Sequence, residues 1–205
     1  MHHLSDEYLA ARPPEEEVFH IEDGNAVFHA MTNLPDTFKG IALKLLDQSA
    51  NKKSMIFSTD SYHENSPKAH ELSRRAGLNP QPPLVLSGEN MKTPADFKLF
   101  MTVAENKISL CKIILKVWSS AEAAKKLINR DVYLVVEGHL YHFTSDGKKI
   151  IVVELAKYFT THEETDHKII LYLTLISDLL ASNLTKNKVI VRSPDSNVFI
   201  HLMYY

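Results

Sequence analysis

Val18-Phe19-His20-Ile21, followed by Glu22-Asp23-Gly24, is the stretch on which the fold turns: a short apolar strand, then acids and a glycine where the chain can reverse. Phe38, Ile41, Ala42, Leu45 and Leu46 come next, at i, i+3, i+4, i+7 and i+8. That spacing predicts a helix lying on a core, with Asp36 as its N-cap. Met55 to Phe57 then reads as a second strand, closing at Ser58-Thr59-Asp60. Strand, helix, strand is the opening of an α/β sheet.

Further along, Thr93-Pro94-Ala95-Asp96 has the pattern of an N-cap, an N1 proline and an acid at N3, so a helix is expected there. Phe97, Phe100, Met101 and Ala104 form its predicted buried stripe, continued by Leu110, Ile114, Val117 and Trp118. Val132 to Val136, Leu140 to Phe143 and Lys149 to Val153 read as three strands of a small meander insertion, with turns at Gly138 and Asp146-Gly147. A long helix is expected from about Glu163 to Ser182, facing the core with Ile169, Leu173, Ile176 and Leu180. Val189-Ile190-Val191 has the unbroken apolar character of a central parallel strand. Residues 1–17, with Arg12-Pro13-Pro14-Glu15-Glu16-Glu17, read as a disordered, solvated leader. The fold class expected is α/β, a mainly parallel sheet sandwiched between helices, in one domain over residues 18–205.

Composition narrows the function classes. The 205 residues are 44% hydrophobic, enough for a sizeable core. With 23 basic against 25 acidic residues, the chain has no overall electrostatic grip on nucleic acid, which leaves only a local basic patch for that role. The single cysteine, Cys111, excludes an internal disulfide and a cysteine zinc site, and suits the cytoplasm or nucleus. Among Leu110, Ile113 and Ile114 it reads as a buried inert thiol. No run approaches the ~18 apolar residues of a membrane helix, and no glycine-rich nucleotide loop occurs among the six glycines. His162-Glu163-Glu164-Thr165-Asp166 lacks the second histidine of a zincin helix, so zinc is not expected.

The acids are the informative residues. Asp23 ends the first strand, Asp60 the second and Asp195 the last, while Glu164 and Asp166 open the long helix. Ligands of open α/β sheets bind beyond the carboxyl ends of the strands, so acids far apart in sequence can meet there around Mg²⁺ or Mn²⁺. Each position also has a structural explanation. Asp23-Gly24 and Pro194-Asp195 are turn signals, and Thr161 with Glu164 fits a capping box. Glu164 and Asp166 diverge by roughly 200° on a regular helix, so sharing a ligand requires an irregular helix start. Spacing alone favours the structural roles.

Order adds to spacing. Ile21-Glu22-Asp23-Gly24, Asp60-Ser61-Tyr62, Glu164-Thr165-Asp166 and Arg192-Ser193-Pro194-Asp195-Ser196-Asn197-Val198-Phe199 follow one another as do the acidic motifs of PIN-like, flap-endonuclease-type nucleases. Residues 18–205 resemble that superfamily, and most closely an uncharacterised animal PIN-like family. Stretches similar to that family lie at Tyr62-His63-Glu64-Asn65-Ser66-Pro67-Lys68, Glu105-Asn106-Lys107 and His162-Glu163-Glu164-Thr165-Asp166. The resemblance implies Mg²⁺- or Mn²⁺-dependent hydrolysis of nucleic-acid phosphodiesters. By position it makes Asp23, Asp60, Glu164, Asp166 and Asp195 catalytic. Asp23, Glu164, Asp166, Asp195 and Asn197 would hold metal, and Lys68, Arg74 and Arg75 would face nucleic acid.

This chain also departs from the superfamily. Asn197 stands where a second acid follows Asp195, and Leu72 where the look-alike family has a basic residue. The sequence ends at Tyr204-Tyr205, before the position of a further acid, so it reads as a truncated or decayed copy. Two functions are therefore expected: a degenerate metal-dependent nuclease, or a catalytically silent module binding nucleic acid or protein through the same crevice.

Overall fold

The computed structural model describes residues 18–62, 74, 81–180, 188–194, 198 and 202–203. Among them the elements run β1 (Val18–Asp23), α1 (Gly24–Ala30), α2 (Phe38–Gln48), β2 (Ser54–Ser58), α3 (Phe97–Phe100), α4 (Ala104–Trp118), α5 (Ala121–Ala124), β3 (Asp131–Val136), β4 (His139–Ser145), β5 (Ile150–Glu154), α6 (Thr165–Leu180) and β6 (Lys188–Arg192).

The strands form one six-stranded sheet in the order β5-β4-β3-β2-β1-β6. β1 pairs parallel with β2 and β6, and β2 pairs parallel with β3. The remaining pairs, β3 with β4 and β4 with β5, are antiparallel. The fold is α/β, but the sheet is mixed, with two antiparallel pairs, because tight turns join β3, β4 and β5. At Glu137-Gly138 both residues have positive φ, 50° and 85°, the backbone a two-residue hairpin needs. The expected meander is present as β3, β4 and β5, and it extends the main sheet. β6 is an edge strand among the described ones, with Ile190 43% exposed. Its apolar run signalled a strand, though not a central one.

Side chains alternate across the sheet and feed two cores. Met55, Phe57, Val132, Leu134, Val136 and Phe143 meet α2, α3 and α4 on one face. There Phe38, Ile41, Ala42, Leu45 and Leu46 are all buried, as their spacing predicts, and the indole N–H of buried Trp118 donates to the Ala42 carbonyl at 2.8 Å. Phe19, Ile21, Ile56, Tyr133, Val135 and Leu140 meet α6 on the other face. Each fully buried side chain of this size stabilises the fold by about 1.5–3 kcal/mol.

Three helix starts differ from expectation. Thr37, not Asp36, caps α2, accepting the Gly40 N–H at 3.1 Å. Asp96 caps α3, accepting the Leu99 N–H, while the Thr93 hydroxyl donates to the Pro35 carbonyl at 2.7 Å. Asp23-Gly24 begins α1 rather than a turn. Gly24 is required there, since a Cβ would lie 2.6 Å from the Phe57 ring and 2.9 Å from the Ser58 carbonyl oxygen. No helix among the described residues is long and apolar enough to cross a membrane.

Candidate metal centre

Parallel pairing puts the carboxyl ends of β1, β2 and β6 on one edge of the sheet. Asp23 is the last residue of β1 and the N-cap of α1. Its Oδ1 accepts the Ala26 N–H at 3.1 Å and its Oδ2 accepts the Ser193 hydroxyl at 3.3 Å, which brings the end of β6 to it. Burial raises the Asp23 pKa above the usual carboxylate value, and the negative charge of Asp60 raises it further. The first two acids of the sequence pattern therefore share one electrostatic neighbourhood.

Asp60 connects this edge to α6. Its Oδ1 accepts the Thr165 backbone N–H at 3.2 Å and the Thr165 hydroxyl at 3.3 Å. The first turn of the helix is thus tied to a distant loop. Glu164 lies just before the first helical residue, the irregular placement that sharing a ligand with Asp166 requires. Carboxylate oxygens of Glu164 and Asp166 and a ring nitrogen of His167 lie within 4.8 Å of one another. Asp166 is 6% exposed and its Oδ1 accepts the His167 N–H at 2.8 Å.

Other expected site residues are placed differently or lie outside the described residues. Asp195, Asn197, Lys68 and Arg75 fall outside them, and Arg74 is exposed. Lys107 of α4 has its Nζ 5.5 Å from the centroid of the Tyr62 ring, on which the charge of Asp60 also acts. Asn106 beside it is structural: its amide donates to the Phe100 carbonyl and its Oδ1 accepts the Leu84 N–H. Two open clefts of about 450 and 510 Å³ are lined by other residues, around Arg130 and around Met31 and Phe97.

The sequence reasoning missed His167, Ser193 and Lys168. Lys168 had a visible signal, because Thr165, Lys168, Ile169 and Tyr172 share one helical stripe and a lysine on a buried stripe is unusual. Burial pushes the Cys111 thiol up to about 11, in keeping with an inert role. His139 pairs with Glu154 at 2.7 Å, and His142 pairs with Asp131 at 3.0 Å.

The two carboxylates are the ligands that suit Mg²⁺ or Mn²⁺, hard ions that take few protein ligands and complete their shells with water and phosphate oxygens, whereas an imidazole is a ligand of softer transition metals. In comparison with known proteins, the chain matches no family model, no curated protein and no solved structure.

Proposed function

We propose that this chain is a PIN-like, flap-endonuclease-type domain whose acidic edge takes Mg²⁺ or Mn²⁺ and acts on nucleic-acid phosphodiesters, in degenerate form. The observation that supports it most is the Asp60–Thr165 tie, through which acids from the ends of β1 and β2 stand beside those at the start of α6. The parallel set β3-β2-β1-β6 between two helical layers is compatible with that fold. Glu164 and Asp166, which lie together with His167, would hold the ion, and Asp60 and Asp23 beside them would hold its waters. When bound, such an ion lowers the pKa of a coordinated water and offsets phosphate charge. Lys107, beside Tyr62, would meet the phosphate backbone. The cytoplasm or nucleus suits a chain whose single thiol is buried and reduced.

The test is cleavage of labelled single-stranded and flap-bearing DNA and RNA in Mn²⁺ by the purified chain. Cleavage should disappear in EDTA and fall ~100-fold in Asp166→Asn, the scale of removing a charge-stabilising group at a reaction centre. Equal rates for the wild type and this variant would reject the nuclease.

A second function, a silent binding module on the same scaffold, is favoured by one observation. Asp23 and Asp60 both accept helix N–H groups, so these acids have a structural use in the fold. Nucleic-acid binding without Mn²⁺-dependent cleavage would select it.

A further inference from the structure

Lys168 is wholly buried, on the stripe of α6 that otherwise carries Ile169 and Tyr172 into the core. An ammonium in that position costs several kcal/mol unless it is fully hydrogen-bonded, so a packing role alone would be served better by leucine. Its Nζ reaches under the end of β2, donating to the Thr59 carbonyl at 2.8 Å and to the Ser61 hydroxyl at 2.9 Å. Those two residues flank Asp60. Thr59 is held from its other side by its hydroxyl on the Val135 carbonyl at 2.7 Å, and Ser61 by its N–H on the Glu163 carbonyl at 2.7 Å. Between these anchors, the Asp60 carboxylate turns toward Thr165.

We propose that Lys168 is a positioning residue: by gripping Thr59 and Ser61 it fixes the Asp60 carboxylate on Thr165 at the start of α6, beside the Glu164 and Asp166 carboxylates that would take a divalent cation. The inference rests on the metal site proposed above. Charge alone would make Lys168 a competitor of any cation, so a favourable effect on metal binding must act through geometry. Outer groups that orient a ligand typically change metal affinity 10–100-fold.

A double-mutant cycle separates these effects. Mn²⁺ binding to metal-stripped protein is measured by calorimetry for wild type, Lys168→Met, Asp60→Asn and the double variant, with circular dichroism confirming the fold. Lys168→Met should weaken binding about 10-fold in the wild-type background. It should not weaken binding further once Asp60 is Asn. Ser61→Ala, which removes one of the two bonds and leaves α6 intact, should give a smaller loss in the same direction, and it decides the question if Lys168→Met fails to fold. Tighter binding in Lys168→Met, equal losses in both backgrounds, or no loss in Asp60→Asn would overturn the positioning role while leaving the metal site standing. Wild-type protein that binds no Mn²⁺ would overturn the metal site, and the positioning role with it.

Discussion

At Asp23, one carboxylate oxygen accepts the Ala26 N–H and the other accepts the Ser193 hydroxyl, yet the group stays harder to ionise than a free aspartate. Burial is the larger cause and the charge of Asp60 the smaller. A carboxyl with a raised folded-state pKa binds its proton more tightly in the native than in the unfolded chain. Its contribution is therefore favourable at low pH and is lost as pH rises from the unfolded value through the folded one. Asparagine caps helices as well as aspartate does and carries no charge. In EDTA at pH 7, Asp23→Asn should melt higher than wild type, and the gain should shrink as pH falls below the folded-state pKa. A lower melting temperature for the variant at pH 7 would show that ionised Asp23 is stabilising and has no need of a cation. Glu22, one residue earlier, is a contrast: 3% exposed, it is paired with Lys52 at 2.6 Å and serves the fold.

The elements separate what periodicity reports from what it cannot. The stripe of α2 was fully legible, because five apolar residues at helical spacing leave one way to pack. In α6 the stripe was read about 60° off. Ile169 and Ile176 are buried as expected, but Tyr172 and Leu175 fill the core where Leu173 was placed, and Leu173 is half-buried. The helix is apolar on too many sides for spacing to choose a face, and the choice is made by Lys168 and Thr165, polar residues drawn inward by the end of β2. Ile169→Ala should therefore cost about 2–5 kcal/mol of stability, and Leu173→Ala distinctly less, by denaturant unfolding. Equal losses would return Leu173 to the core. Among the candidate site residues, the placement of Asp23 and Asp60 was legible because strand ends are marked by the stop of an apolar run. Ser193 and His167 were not, since only the pairing of β6 with β1 and the irregular start of α6 bring them into place.

For the whole molecule, the sheet is built from two kinds of strand pairing with different consequences. Parallel crossovers bring the ends of β1, β2 and β6 to one edge, where the acids gather. The hairpins of β3, β4 and β5 widen the sheet and bury Tyr133 and Phe143, and the acids they bring to its carboxyl edge, Glu137 and Glu154, are paired with Lys112 and His139. Helices on both faces leave the edge as the place where polar groups from distant segments meet, and Asp60, Thr165 and Lys168 lock it to α6. Such an edge, with several carboxylates and a raised Asp23 pKa, should gain from a divalent ion. Anomalous diffraction from crystals grown with Mn²⁺ locates that ion directly. A peak roughly 2.1 Å from carboxylate oxygens of Glu164 and Asp166 is the expected result. Crystals with no peak at these acids, or with Mn²⁺ bound only elsewhere, would contradict the metal centre.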